Sequence, residues 1–427
     1  MATVTLPAPA DGAGLARRRP VRSDAAAVHQ AGLVIDVVRD RAGFEALERE
    51  WNDLYRRCGR DTQLFQSFNW NWHWANHYIA AVSARRGPSL AIVTVRRHGR
   101  LVVLWPLVAR RVGALKLLQW MGEPVSQYGD VLAEDPGDPE PMRQSWRFIT
   151  TALGADVVHV RKVRADAVVA PLLREPGILQ TAVEEAPYLD LASAPDFAAY
   201  ERRYTAKARK NRRRLARRLA EQGPLAVERQ IGGRGARSAA LQAIALKRAW
   251  VDKTGRLSRA LADERFGAFF ADVAEGRCRP VGCGVTLLRS SGAAAGIAID
   301  ITDKGRCAAH VIVHDPRFDA FSAGTLLLEA WIRGASGDGV ATFDLLAPAY
   351  AYKHDWADGT VAVGDYAHGA TPVGRAYVRI YLGRVRPALK AAAEAWPHLR
   401  ARCAAAGRRV WPWRRGAAAP PTAARAD

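Results

Sequence analysis

Residues Pro280–Trp356 read PVGCGVTLLRSSGAAAGIAIDITDKGRCAAHVIVHDPRFDAFSAGTLLLEAWIRGASGDGVATFDLLAPAYAYKHDW. Three apolar runs, Val281–Arg289, Ala294–Ile301 and Arg306–Val313, read as strands, the first two joined by the turn Ser290-Ser291-Gly292. Helical spacing follows from Ser322 to Gly334, and a short strand from Ala341 to Leu345. A glycine-bearing helix start, Ser322-Ala323-Gly324-Thr325, placed directly after a strand, predicts a phosphate-bearing ligand held by free backbone amides and the positive helix end. Asp344 and the pair Tyr352-Lys353 then fall at the end of the next strand, where polar side chains would meet that ligand.

Working outward, residues 204–221 form a predicted helix whose apolar face is only Tyr204, Ala208, Leu215 and Leu219, ended by Gly223-Pro224. A strand at Leu225–Arg229 and helices at Ala236–Thr254 and Asp263–Glu275 lead into the quoted stretch. The first half has strands at Leu33–Val37, Leu90–Arg96, Leu101–Arg110, Ala114–Trp120, Tyr128–Leu132 and Asp156–Val160. Its helices are Arg41–Arg57, Phe68–Ala80 and Glu140–Leu153. Within Phe68–Ala80, periodicity puts Trp70 and Trp74 in the core and turns Trp72 elsewhere. Both halves run helices, a meander, a helix and a late strand. The expected fold is therefore α/β, with two related units at 31–190 and 191–372 and mixed, largely antiparallel sheets. A basic helical tail at 373–414, interrupted at Pro387 and Pro397, and disordered ends at 1–30 and 415–427 complete the expected division.

At 427 residues, with 49% hydrophobic residues, the chain can bury full cores in two to three domains. Arg17-Arg18-Arg19 lacks the apolar run of a secretory signal, and Leu101–Ala109 is about half a bilayer span. Five cysteines without a CxxC argue against a disulfide framework or a zinc site, and a cytoplasmic protein is expected. The net charge of +21 is concentrated: Arg202–Arg218 carries ten Lys or Arg and no acid, and Val373–Asp427 twelve against Glu394 and Asp427. Those segments hold 20 of the 21 charges, so attraction to polyanions should be local. Tyr377, Ile380, Tyr381, Leu382, Trp396, Trp411 and Trp413 interleave with arginines in the tail and suggest a peripheral contact with an anionic membrane face.

The pieces Lys207-Ala208-Arg209-Lys210-Asn211, Leu246-Lys247-Arg248-Ala249-Trp250, Asp315-Pro316-Arg317-Phe318, Ser322–Leu327, Phe343-Asp344 and Tyr352–Trp356 occur in an order that resembles the CelD-like acetyltransferase domain of the GNAT superfamily. Phe65–Trp70 and Ser126–Asp130 resemble the N-terminal half of the same proteins, so the likeness runs from about Leu33 to Lys390. What the resemblance implies is a pair of GNAT-like domains, as also found in peptidoglycan aminoacyltransferases of the FemAB type. It further implies acetyl-CoA or another acyl-CoA as co-substrate, and for some members a link to cellulose or exopolysaccharide synthesis. The sequence departs from the GNAT phosphate loop in lacking its double-glycine pattern.

Acyl transfer to an amine needs a base, donors for the developing oxyanion and a proton for the departing thiolate. His310 and His314, four residues apart, share a face if the strand continues through both. Either one, or Asp344, would be the base, with Tyr352 as acid and Lys353 stabilising an anion. The amides around Val311–Val313 would face the oxyanion, and Ser322, Ala323, Gly324 and Thr325 would hold the cofactor phosphates. Tyr128 and Asp130 would reach substrate between the two units. No third ligand accompanies His310-x-x-x-His314, so no metal is expected. The expected partners are an acyl-CoA and an amine-bearing acceptor such as an amino sugar, which at the membrane would be lipid-linked. Alternatives are a FemAB-like enzyme whose basic helix holds tRNA, and a non-catalytic scaffold for a polysaccharide synthase.

Overall fold

A computed structural model describes residues 28–30, 32–79, 87–255, 258–276 and 282–395. The expected terminal segments before Val28 and beyond Ala395, with Trp396, Pro397, Trp411 and Trp413, lie outside the described residues, as does Cys278. The strands are β1 (Val28–Gln30), β2 (Leu33–Val38), β3 (Ser89–Leu90), β4 (Ile92–Arg97), β5 (Arg100–Trp105), β6 (Leu107–Val112), β7 (Leu115–Trp120) and β8 (Leu132–Ala133). They continue with β9 (Val157–Arg164), β10 (Leu179–Asp190), β11 (Leu225–Ile231), β12 (Cys283–Ser290), β13 (Ala293–Asp303), β14 (Arg306–His314), β15 (Thr342–Asp344) and β16 (Gly359–Gly369).

Eleven strands form one sheet in the order β11-β12-β13-β14-β15-β10-β16-β9-β7-β6-β3, and a smaller sheet runs β1-β2-β4-β5-β8. Among the described strands, β14 with β15 and β7 with β9 pair in parallel and the other pairings are antiparallel. Each half thus carries one parallel pair, preceded in the chain by a helix, Glu140–Thr151 before β9 and Ala323–Gly337 before β15. This is the α/β architecture with mixed, largely antiparallel sheets that the sequence predicts.

Three local departures have clear causes. Leu101–Arg110 is two strands, because Pro106 lacks the N–H that a ladder needs; the chain turns there from the small sheet into the large one. Tyr128–Val131 is irregular, since the Asp130 carboxylate accepts the amides of Val131, Val168 and Val169 and displaces strand pairing. The tail helix does not break at Pro387. A π-helical segment, Tyr377–Val385, joins Pro372–Ala376 to Arg386–Ala395, and Pro387 directly follows this widened segment, in which the Arg386 amide reaches back to Tyr381 O.

The strands β10 and β16 escape sequence reading. Leu179–Asp190 carries two glutamates and Pro187, and Gly359–Gly369 three glycines, so neither shows a clean alternation. Yet they are the joint of the molecule: β10 pairs with β15 of the second half, and β16 returns to pair with β9 of the first. The core is shared as well. Trp70 of the first half meets Phe269 edge to face with ring centres 4.8 Å apart, and both are fully buried. Trp74 is also buried while Trp72 is partly exposed, as the helical periodicity requires. No described helix is long and apolar enough to cross a membrane.

Candidate active site

The parallel pairing of β14 with β15 runs only from Arg306/Thr342 to Ala308/Asp344. Beyond Ala308 the strand continues to His314 with no β15 residue beside it, leaving a gap. A bulge lies at the mouth of this gap: Val311 pairs with Ile299 and Ala309 with Asp300, so His310 is the extra residue. The bulge breaks the alternation that would put the two histidines on one face. His310 sits among Phe270, Phe65, Trp70 and Phe266, with ring centres 4.8–6.5 Å away. His314 turns to the helix side, where its Nε2 pairs with Asp319 Oδ1 at 2.8 Å. A Cβ on Gly324 would come within 2.9 Å of its Nδ1.

The same geometry reassigns the backbone donors. Asp315 N–H donates to Ala295 O at 3.0 Å, so by alternation Val313 and Val311 also face β13. Their amides are not turned to the gap, contrary to the sequence expectation. Ile312 is: its carbonyl accepts Lys247 Nζ at 3.1 Å on that side. Following β14, Pro316–Phe321 makes a 3-10 turn and Ser322 takes a left-handed conformation, φ 52°, before the helix Ala323–Gly337. Ser322 makes no side-chain cap, and the first amide folded back onto its carbonyl is that of Thr325. The amides of Ala323 and Gly324 remain at the helix start, a cradle suited to an anion.

A cavity of about 520 Å³ occupies the gap between the halves. Ala309–Ile312, Leu328, Trp331, Leu345–Pro348, Tyr350, Tyr352 and Lys353 line it from one side; Trp120, Glu123, Ser126–Gly129, Arg161 and Lys162 line it from the other. Lys353 is buried and donates to the carbonyls of Leu346 (2.7 Å) and Pro348 (2.9 Å), and burial lowers its pKa to about 8. Tyr352 is exposed at the rim and stacks on Tyr350. His310 lends Nε2 to Val125 O at 2.6 Å, and burial brings its pKa to about 4, so it is neutral at physiological pH.

Asp344 is not placed to act as a base. It is completely buried, and its carboxylate accepts Tyr128 OH (2.8 Å), Arg164 and Arg306 (3.0 Å each) and the Leu346 amide (2.9 Å). Tyr128, on which the Arg164 guanidinium stacks at 4.9 Å, is held by the same knot; its ring edges the cavity but its hydroxyl is engaged. Asp130 lies outside the cavity lining, with its carboxylate taken by Gln63 and the three amides named above. Asp130 is therefore a junction residue, while Tyr128 joins the junction and also lines the cavity. Among the described residues no cluster of His, Cys, Asp or Glu could hold a metal ion.

Residues 206–354 match the acetyltransferase (GNAT) domain family. That match covers the basic helix, β11–β15, the bulge, the helix start and Lys353, and so every element around the gap on the second half. Among solved structures, FemX shares 13% identity at a TM-score of 0.53, over 75% of this chain and 96% of its own. The C-terminal DUF2156 domain of a putative lysylphosphatidylglycerol synthetase from Agrobacterium fabrum gives 12% and 0.47 over 79% and 97%. A tandem GNAT protein from the clavulanic acid biosynthesis pathway gives 14% and 0.43 over 79% and 99%. At such identity the likeness to FemX shows the fold. No curated protein matches.

The GNAT-domain side of the site was legible in outline; the opposite wall was not. Glu123 comes from a loop of the first half and Arg161 and Lys162 from an irregularity within β9, with no spacing to mark them. Arg161 bridges Glu123 (3.4 Å) and Asp365 (3.0 Å), and Lys162 Nζ donates to Gln127 Oε1 at 2.7 Å. Burial lowers the Lys162 pKa to about 8 and raises that of Glu123.

Proposed function

We propose that this protein is an acyl-CoA-dependent N-acyltransferase acting on a primary amine, with an amino sugar as the acceptor class. The observation that carries the reading is the gap beyond Ala308/Asp344, which holds a cavity, together with the uncapped helix start that follows β14, although Ser322–Thr325 are not part of the cavity lining. A CoA pyrophosphate would lie on the amides of Ala323 and Gly324, beside Ser322 and Thr325, with the thioester running into the gap. The Ile312 amide, on the gap side of β14, would donate to the carbonyl oxygen as it gains charge. Lys353, which burial keeps cationic only below about pH 8, and Tyr352 at the rim would stabilise the charge on the departing sulfur. Calorimetric titration with CoA and acetyl-CoA tests this reading. Binding is expected at micromolar to submillimolar concentration and is weakened at least tenfold by Gly324→Val; no heat at millimolar ligand sinks it.

A second reading, aminoacyl transfer from tRNA in the FemAB manner, is favoured by the basic helix Ala206–Ala220. Lys207, Lys210, Arg213, Arg214, Arg217 and Arg218 are exposed on it, while Arg212 is buried against Glu329, Tyr204 and Trp356. Salt-sensitive tRNA retention that disappears when Lys210, Arg213, Arg214 and Arg217 become Gln would support it. Contact with an anionic membrane face is proposed for the tail helix, where Val373, Ile380 and Leu389 are exposed among Arg375, Arg379, Arg384, Arg386 and Lys390.

A further inference from the structure

The cavity lining contains two hydrogen-bond acceptors, one from each half, that no described residue satisfies. Glu123 Oε1 and His310 Nδ1 are both enclosed and have no donor. Their side chains line the same cavity and are tied to one short loop: His310 Nε2–H is fixed on Val125 O at 2.6 Å, two residues after Glu123, whose own carbonyl accepts Trp74 Nε1 at 2.9 Å. Because Nε2 carries the proton, Nδ1 presents a lone pair. An enclosed acceptor without a donor costs about 1–3 kcal/mol, and a carboxylate more. Two of them in the lining of one cavity mark a place for a ligand that brings more than one donor.

We propose that Glu123 is the acceptor-binding residue and general base: the ammonium group of a primary amine docks against its carboxylate, with the His310 Nδ1 lone pair as a second acceptor. The acyl donor would then be held by the second half, and the acceptor between Glu123 of the first half and His310 of the second. This assignment rests on the acyl-CoA reading for its chemistry. The bound ammonium gives one proton to the Glu123 carboxylate, and the freed nitrogen lone pair forms the N–C bond to the acyl carbon. The C–S bond breaks with its electron pair on sulfur. The second nitrogen proton passes to that thiolate, and Glu123 returns its own to solvent. Arg161, Lys162 and Asp365 face the Glu123 carboxylate and His310 borders the same cavity; burial raises the carboxyl pKa against the pull of the two cations. Glu123 is therefore a stronger base than an exposed carboxylate, and the reaction slows as pH falls through its pKa.

Glucosamine is the probe amine, titrated calorimetrically into the full-length CoA-free protein and then used in a thiol-release assay with acetyl-CoA. Wild type is expected to bind it, and Glu123→Gln to weaken that binding at least tenfold while leaving acetyl-CoA affinity within twofold. In turnover, Glu123→Gln should lower kcat/KM for glucosamine about a hundredfold at pH 7 and erase the acid limb of the pH profile, an effect that a packing defect would not produce. Should Glu123→Gln fail to fold, Glu123→Asp carries the same comparison, keeping the charge but withdrawing it by one methylene. The proposal is overturned if wild type does not bind glucosamine, or if the folded variant binds it and turns it over like wild type. If glucosamine binding depends on Glu123 while neither CoA nor acetyl-CoA binds, the ammonium site stands and the acyl-CoA reading falls.

Discussion

Asp344 shows how little a residue's type says about its role. A carboxylate at a strand end beside a tyrosine and a lysine has the composition of an acid–base site, yet two guanidiniums, a phenol and an amide occupy it completely. Breaking a buried pair by removing one partner leaves the other charges unsatisfied, so Asp344→Ala is expected to lose about 3–5 kcal/mol in urea unfolding. Its folded fraction should still bind acetyl-CoA with near wild-type affinity; a selective loss of turnover with stability intact would restore Asp344 as a base. Lys353 behaves differently. Burial lowers its pKa to about 8 from the 10.5 of a free lysine, so between those values the unfolded chain binds more protons than the folded one. Stability should consequently rise as pH climbs from about 8 towards 10.5, and Lys353→Met should flatten that rise. Urea midpoints measured at pH 7.5, 9 and 10 separate the two proteins.

At the scale of elements, the bulge at His310 and the left-handed Ser322 do the positioning. An extra residue in β14 sends His310 into an aromatic cage and His314 to the helix, which a two-residue period cannot foresee. Ser322 holds φ 52° without a capping bond, a conformation that disfavours side chains other than glycine's. Ser322→Gly should therefore stabilise the fold by about 0.5–1 kcal/mol in denaturant unfolding, while Ser322→Pro should abolish the helix start and CoA binding with it. The tail helix makes a separate prediction. Vesicles rich in anionic lipid should co-sediment the protein, and Ile380→Glu with Leu389→Glu should release most of it; equal retention on neutral vesicles would discount the role assigned to its cations.

Across the whole molecule, the pairing of β10 and β16 joins the two halves of the chain into one sheet. The turn at Asp303 and Lys304 adds to the joint, with Tyr55 OH donating to Asp303 at 2.8 Å and Lys304 Nζ to the Gly59 carbonyl at 2.7 Å. Urea unfolding should show a single transition with probes in either half coinciding, and amides of β10 and β16 should be among the slowest to exchange. A fragment spanning only 206–372 should not fold cooperatively, because it leaves β15 without β10 and β16 without either neighbour. The sequence by itself determined the α/β class, the meander before the glycine-bearing helix start, the core tryptophans and the local concentration of charge. These follow from periodicity, turn chemistry and composition, which act over a few residues. Only the tertiary structure decided that Asp344, Tyr128 and Asp130 are junction residues, that Ile312 and not its neighbours faces the gap, and that Glu123 and Lys162 wall the cavity. Those outcomes depend on which strand lies beside which and on where a buried charge finds its partner, and contacts between residues up to more than 200 apart leave no local pattern in the chain.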